Sequence, residues 1–243
     1  MAKRIPLLLF IVLGCLILSG CSSLNPFSSS ESFQRAEELY QAGKRAMDEG
    51  DYGQAAEYFQ QIREDHPFSR WIAEAELGLA DAYYRQEKLS AAESAYKEFE
   101  SLHPGSPEIP YVLFRIGRAN LKQFKSVDLS QQEVREAEKY FTRLVQAYPQ
   151  SEYVPEAREY ILQCRSRRAQ HAIYVADFYM RTEKYRAAWL RYSSVLEKYE
   201  DLDEYAAYAK SRTREAYYLS LKQASEEARI AKRGSWKEWF DWL

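Results

Sequence analysis

Residues 39–67, LYQAGKRAMDEGDYGQAAEYFQQIREDHP, are followed 37 residues later by a segment of the same pattern, residues 76–104, ELGLADAYYRQEKLSAAESAYKEFESLHP. Each segment has a small residue early, an alanine in the middle, an aromatic residue four positions after that alanine, and a closing proline. A third copy follows, and then a fourth in which glutamate replaces the proline. The sequence therefore consists mainly of one repeated unit. The matching residues of the four copies are Gly43, Ala55, Phe59 and Pro67; Ala80, Ala92, Tyr96 and Pro104; Gly117, Ala137, Phe141 and Pro149; and Ala176, Ala188, Tyr192 and Glu200.

The residue types at these positions are those that a pair of packed helices needs. A small residue on the first helix lets the second helix approach closely, and the alanine on the second helix does the same in return. The aromatic ring fills the remaining gap, and the proline ends the second helix. The pattern resembles the tetratricopeptide repeat, which implies an all-α solenoid of about five helical hairpins.

Three stretches depart from the regular unit. Between Gly117 and Ala137 there are eight more residues than in the first two copies, near residues 123–132, and these form either a tolerated insertion or a contact loop. Residues 155–180 are predicted to form one long helix. Residues 203–233 are predicted to form a fifth helical pair with a weak motif, which is usual for a terminal repeat.

The composition agrees with a helical binding protein. The 243 residues include nine glycines and eight prolines. Their combined share is well below the roughly 12% that is average for proteins, which argues against collagen-like and β-sandwich folds. Hydrophobic residues make up 46% of the chain, enough for a packed core. The formal net charge of −2 gives no basis for nucleic-acid binding, which requires a strongly basic domain.

The first residues have the order of a lipoprotein signal. Lys3 and Arg4 precede an apolar run of 14 residues, Ile5–Leu18, and at about 1.5 Å per residue this run is too short to span the ~30 Å hydrocarbon core of a bilayer. The run ends in LSGC, which resembles a bacterial lipobox. That resemblance implies cleavage after residue 20, a lipid on Cys21 and, because Ser22 follows, delivery to the outer membrane.

These patterns divide the chain into four parts. They are a signal peptide (1–20), a lipidated cysteine with a flexible Ser-rich tether (21–32), the repeat solenoid (33–233) and an aromatic C-terminal tail (234–243). Trp236, Trp239, Phe240 and Leu243 in the tail fall on one face of a short helix that Ser235 is placed to cap. We predict that this face packs on the last repeat, with a partner protein and the membrane interface as alternatives.

The sequence contains no pattern that predicts an enzyme, a cofactor or a metal site. His66 and His103 each precede a repeat-ending proline, which favours a turn role over metal binding. Cys164 is predicted to be a buried thiol without a disulfide. Gly-rich phosphate loops and hydrolase motifs are absent, and acidic residues alternate with basic ones as on a solvated helix face. We therefore predict a binding protein.

On the first helix of each repeat, helical periodicity predicts one stripe that faces the core and a second stripe on the opposite side. The second stripe has two apolar side chains beside charged ones. Each apolar side chain would forgo about 1.5–3 kcal/mol if it stayed in water, so we predict a concave peptide groove with a basic rim. The alternative is that neighbouring helices cover the stripe. Its members are Tyr40, Lys44, Met47 and Asp48; Leu77, Asp81, Tyr84 and Arg85; Phe114, Arg118, Leu121 and Lys122; and Ile173, Asp177, Met180 and Arg181.

Several further stretches narrow the resemblance. They are DHPFS (residues 65–69), AYY (82–84), YPQSEY (148–153) and VADFY (175–179). With the lipobox, the tether and the inserted third repeat, they resemble the BamD family, the lipoproteins of the outer-membrane β-barrel assembly machinery. The resemblance covers about residues 21–230, and the chain departs from it in a shorter insertion and in the Trp-rich ending.

The resemblance implies partners for the repeats. In the BamD family the N-terminal repeats receive the C-terminal targeting strand of nascent outer-membrane proteins, which ends in an aromatic residue with a free carboxylate. Tyr84, Tyr111 and Phe114 would take the ring, and Arg85 and Arg118 would pair with the carboxylate. The substrate-peptide groove is thereby assigned to Tyr40, Lys44, Tyr84, Arg85, Tyr111, Phe114 and Arg118.

The C-terminal repeats of that family dock on the barrel subunit BamA. Arg191 aligns with an arginine that pairs there with an acidic residue of BamA, and other BAM lipoproteins are further implied partners. The implied location is the periplasmic side of the outer membrane, reached through the lipid anchor. The alternative function is that of another tetratricopeptide-repeat lipoprotein of the envelope, a scaffold for peptidoglycan or division proteins.

Overall fold

The structure, a computed structural model, describes the backbone of residues 29–240 and the side chains of residues 34–233. Over residues 29–240 the chain forms nine α-helices and no strand, which confirms the all-α repeat fold. The helices are α1 (Ser29–Glu49), α2 (Tyr52–Asp65), α3 (Ile72–Arg85), α4 (Leu89–Leu102), α5 (Ile109–Gln123), α6 (Gln132–Ala147), α7 (Val154–Arg181), α8 (Tyr185–Lys198) and α9 (Asp203–Phe240). The chain divides into two compact units, one ending at Ala82 and the other beginning at Tyr83.

In the first unit, one phenylalanine holds three helices together. Phe59 of α2 is 2% exposed, and its ring lies against two glycines. A Cβ atom built on Gly43 of α1 would come within 2.6 Å of this ring, and one built on Gly78 of α3 within 2.8 Å. Both glycines therefore provide the space in which the ring packs. Asp51 caps α2, because its carboxylate accepts a hydrogen bond of 3.0 Å from the backbone N–H of Gln54.

In the second unit, each helix from α5 to α9 packs on the helix before it. Phe141 of α6 repeats the role of Phe59, since a Cβ atom on Gly117 of α5 would lie 2.6 Å from its ring. Gly43 with Phe59 and Gly117 with Phe141 thus pack as the repeat pattern predicted, whereas the contact of Gly78 with Phe59 was not predicted.

The connections between repeats share one hydrogen-bond pattern. His66, His103 and Tyr148 end α2, α4 and α6, and the backbone N–H of each donates to the carbonyl four residues earlier. This confirms the turn role predicted for the two histidines. The serine three residues after each of them accepts a hydrogen bond of 3.2–3.3 Å from the backbone N–H two residues further on, which orients the start of the next helix. These serines are Ser69, Ser106 and Ser151.

The inserted residues of the third repeat form an ordered loop between α5 and α6, residues 124–131. Gln131 is 3% exposed, and its side-chain amide donates to the carbonyls of Ser126, Val127 and Leu129, at 2.8 Å for Leu129. His171 of α7 bonds to the carbonyl of Val127 through its Nδ1 atom. The loop is therefore fixed at its centre and at its end.

Two long helices form the rest of the second unit. Helix α7 has the bounds Val154–Arg181, as the uninterrupted pattern predicted. The prediction of a fifth helical pair over residues 203–233 is wrong, because this segment is a single helix, α9, that continues to Phe240. No glycine or proline stands between Asp203 and Arg233 to end it.

The two ends of the described chain differ from the predicted boundaries. Helix α1 begins at Ser29, inside the predicted tether. At the other end, Ser235 lies within α9 and does not cap a separate helix. The packing of the tail on the last repeat stays a prediction. The side chains of the tail and the signal and lipid site at residues 1–28 lie outside the described residues.

Candidate functional site

The N-terminal members of the predicted groove form an aromatic and basic cluster in the first unit. The ring of Tyr40 stacks on Trp71, with 4.6 Å between ring centres and 16° between planes. Lys44 places its ammonium 5.9 Å from the Tyr40 ring centre, and the guanidinium of Arg70 lies 4.7 Å from the Trp71 ring. Burial raises the pKa of Tyr40, as does the negative charge of Glu74. The Tyr40 hydroxyl therefore stays protonated at neutral pH.

The third-repeat members form a continuous set of rings between α5 and α7 in the second unit. Phe114 is 5% exposed and stacks on Tyr153 with 5.2 Å between ring centres. Tyr111 meets the same Tyr153 at 5.7 Å, and Tyr160 lies 5.1 Å from Phe141. These rings bury one another and hold the start of α7 on α5 and α6.

Tyr84 lies under two cations. It is 6% exposed, the guanidinium of Arg115 lies 3.9 Å from its ring centre, and the ammonium of Lys122 lies at 5.1 Å. Its buried hydroxyl has no hydrogen-bond partner in the described part of the chain. Arg85, the next residue, is exposed at the end of α3.

Arg118 lies beside a cleft between α5 and α7. Its guanidinium pairs with the carboxylate of Glu156 at 3.0 Å and lies 4.9 Å from the Tyr160 ring centre. Burial, together with the adjoining Glu156, raises the pKa of Tyr160, so this hydroxyl is also a neutral group. The cleft has a volume of about 340 Å³ and is lined by Arg118, Leu121, Lys122, Phe124, Tyr160, Gln163 and Arg167.

The predicted apolar stripe is not an open surface. Tyr84, Phe114, Leu121 and Met180 are buried, and the other four apolar members are partly buried. This arrangement agrees with the alternative interpretation, in which neighbouring helices cover the stripe. All fully exposed members of the stripe are charged, and they are Lys44, Asp48, Arg85, Lys122 and Arg181. The groove role of the set stays a prediction.

Arg191, the predicted partner contact, lies on the surface of α8. The side chain is exposed, and its guanidinium lies 5.9 Å from the ring centre of Tyr179. Among residues 34–233 it makes no ion pair. Two tyrosines nearby, Tyr192 and Tyr208, donate their hydroxyls to Asp177 and join α8 and α9 to α7.

The sequence interpretation missed several residues of this surface. Trp71 and Tyr153 each lie one residue before the start of a first helix, and Tyr160 lies within α7. All three are outside the repeat positions that were compared. The spacing of seven residues between Tyr153 and Tyr160, at the start of the predicted long helix, was a usable signal. Phe124 and Arg167 had no such signal, because only the fold brings the inserted loop next to α7.

Three further observations concern the described residues. Within residues 34–233, no set of three or more His, Cys, Asp or Glu side chains is arranged to hold a metal ion. None of the helices in that range has the length and apolar character needed to cross a membrane. Cys164 is a free, fully buried thiol, as predicted, and burial raises its pKa to about 12.

The paired helices, the glycine and phenylalanine contacts and the repeated connections define a tetratricopeptide-repeat protein. Among solved structures, a crystal structure of MamA covers 82% of this chain and 95% of its own, with 16% identity and a TM-score of 0.40. The TPR2AB-domain:pHSP90 complex of yeast Sti1 covers 77% of this chain and 71% of its own, with 13% identity and a TM-score of 0.45.

The family model YfiO, described as outer membrane lipoprotein, matches residues 33–231. The chain belongs to this family. Outer membrane protein assembly factor BamD of Caulobacter vibrioides is 27% identical over 164 residues, which are 68% of this chain and 54% of the relative. BamD of Vibrio cholerae is 26% identical over 176 residues, 68% of this chain and 73% of the relative. The chain thus spans about half the length of the Caulobacter protein.

Proposed function

We propose that this protein is a lipid-anchored adaptor for outer-membrane protein assembly, which binds unfolded β-barrel polypeptides and docks on the barrel subunit BamA. The observation that carries the proposal is the family match over residues 33–231, with relatives that are named outer membrane protein assembly factors. The aromatic and basic side chains of the predicted groove support a binding role, because rings and cations of this kind recognise a ligand by contact and charge.

The proposed anchor is Cys21, at the end of the lipobox-like LSGC. Stable anchoring needs two acyl chains or more, and the tether between Cys21 and α1 would then hold the repeats near the membrane. The Cys21→Ala protein is expected to leave the membrane fraction or to stay as an uncleaved precursor. Incorporation of radiolabelled palmitate into this variant would contradict the assignment.

The proposed substrate contacts combine rings and arginines. Tyr40 and Lys44 act in the first unit. In the second unit, Tyr84, Tyr111 and Phe114 form the aromatic floor, which is largely covered. Arg85 is exposed, whereas Arg118 is partly buried, lies 5.7 Å from the Phe114 ring centre and is paired with Glu156. The proposed ligand carboxylate binds to Arg85 and competes with Glu156 for Arg118.

Peptide binding tests the substrate contacts. Replacing both Arg85 and Arg118 by alanine is expected to weaken binding of a fluorescent peptide with a C-terminal aromatic residue by about 1–3 kcal/mol, because charge-assisted hydrogen bonds are lost. The matched control is the double change Arg158→Ala and Arg186→Ala, which removes two exposed arginines of the same unit. Equal affinities of the two double variants in a fluorescence titration would refute the assignment of these arginines.

A further inference from the structure

The cleft between α5, the inserted loop and α7 is lined by three cations and by no acidic residue. Arg118 and Lys122 come from α5, and Arg167 comes from α7. Phe124, the residue after α5, and Tyr160 provide aromatic walls, and Gln163 adds an amide. Such a lining favours an anion that is attached to an apolar group.

The three cations differ in how their charges are compensated. Arg118 pairs with Glu156 at 3.0 Å, and Lys122 lies 3.6 Å from the carboxylate of Glu87. Arg167 makes no ion pair with any residue in the described range, although it is partly buried. Its charge is therefore the one that a ligand would neutralise.

The two arginines nearest to Arg167 on α7 differ from it in this respect. Arg165 pairs with Asp201, and Arg168 pairs with Glu138 at 2.5 Å. Both of these arginines are thus compensated within the protein. The helix places one uncompensated guanidinium between them, on the side of the cleft.

The geometry of Arg167 is fixed by its contact with the inserted loop. Its guanidinium carbon lies 4.6 Å from the ring centre of Phe124. The loop that begins at Phe124 is held by the Gln131 amide and by His171. A guanidinium that is stacked on a ring loses little conformational entropy when it binds, and its planar donors match the two oxygens of a carboxylate.

We propose that this cleft binds a carboxylate of an extended polypeptide, and that Arg167 is its main specificity-determining residue. Arg118 and Lys122 supply further positive charge, and Phe124 and Tyr160 contact the side chain next to the carboxylate. The inserted loop is then a binding element. That the ligand is a polypeptide rests on the proposed function, whereas the carboxylate specificity rests on the cleft.

The test measures fluorescence anisotropy of short labelled peptides with the detergent-solubilised full-length protein. The reference peptide ends in phenylalanine with a free carboxylate and contains one internal glutamate. Arg167→Ala is expected to weaken its binding about tenfold or more, as for the loss of a hydrogen-bonded ion pair. Arg167→Lys keeps the charge without the planar donors, and its peptide affinity is expected to lie between those of the wild type and Arg167→Ala. Arg158→Ala, an exposed arginine of the same helix outside the cleft, is the control and keeps full affinity.

Two modified peptides identify the source of the carboxylate. If amidation of the C-terminus removes the effect of Arg167→Ala, the cleft binds the terminal carboxylate. If replacement of the internal glutamate by glutamine removes it, the cleft binds an acidic side chain. Either result supports the proposal.

Three results would overturn it. Equal peptide affinities of the Arg167→Ala and Arg158→Ala proteins, while the wild type binds, would refute the role of Arg167 and leave the proposed function standing. Binding of inorganic phosphate that depends on Arg167, without any effect on peptide binding, would assign the cleft to a phosphate ligand. Failure of the wild type to bind any of the peptides would contradict the proposed function and this inference together.

Discussion

Single small residues decide how closely the helices of this protein pack. Gly117 of α5 faces the buried ring of Phe141, and that ring lies among Phe114 and Tyr160, which leave it no room to move. Glycine within a helix costs about 1 kcal/mol relative to alanine, so its presence here is explained by packing and not by helix propensity.

Gly117→Ala is expected to destabilise the protein although alanine is the better helix former. The added Cβ atom would lie 2.6 Å from the Phe141 ring, and overpacking of this kind costs about 1–3 kcal/mol. The melting temperature should fall by about 2–12 °C. Gly105→Ala is the control from the same unit, since a Cβ atom there meets nothing within 4 Å. A Gly117→Ala protein that melts at or above the wild-type temperature would contradict the packing argument.

The buried thiol of Cys164 predicts a dependence of stability on pH. Burial raises its pKa to about 12 in the folded protein, against about 8.5 in an unfolded chain. The unfolded state therefore loses this proton first, and the contribution of the thiol to stability falls as the pH rises above about 8.5. The slope is at most about 1.4 kcal/mol per pH unit. Urea unfolding between about pH 8 and pH 10.5 should show a steeper loss for the wild type than for Cys164→Ala. Parallel curves for the two proteins would show that the thiol is not shielded.

At the scale of helices, the repeat pattern predicted most of the elements and their contacts. Phe59 and Phe141 meet their glycines because small and aromatic residues at fixed spacing allow few other arrangements of two helices. His66 and His103 end their helices for a reason that is also local, because the proline that follows each of them disfavours a helical backbone.

Contacts that depend on distant segments were not predictable in the same way. Tyr84 of α3 is covered by Arg115 and Lys122 of α5. Phe114 of α5 is covered by Tyr153, which precedes α7. The predicted fifth helical pair was wrong for another reason. That prediction relied on the analogy with complete repeats, although residues 203–233 contain no helix breaker.

The predicted packing of the tail on the last repeat can be tested by truncation. Ala209 and Ala216 are buried in α9, and every residue from Leu221 to Arg233 is exposed. If the tail packs on the last repeat, removal of residues 235–243 is expected to lower the melting temperature, because apolar burial is lost. A shorter chain that ends at Lys210 is the control, and it should melt lower because it loses the packing of Ala216 and Leu219. A melting temperature unchanged within about 1 °C without residues 235–243 would contradict the capping role of the tail.

At the scale of the whole molecule, the proposed adaptor needs one contact for the substrate and another for the barrel subunit. Arg191 is the proposed docking residue, and it is exposed on α8 without an ion pair in the described chain. Arg191→Glu is expected to weaken capture of the barrel subunit while the fold is kept, because an exposed charge reversal normally costs little stability. Arg186→Glu reverses another exposed arginine on the same helix and should capture normally. Undiminished capture by a folded Arg191→Glu protein would count against the docking site.

The proposed role as an adaptor for outer-membrane protein assembly can be tested by affinity purification of the tagged full-length protein from detergent-solubilised envelopes, followed by mass spectrometry. We expect a polytopic β-barrel protein with periplasmic domains to co-purify in an amount comparable to the bait. Recovery of peptidoglycan or division proteins without any such β-barrel protein would refute the adaptor role and favour the envelope-scaffold alternative.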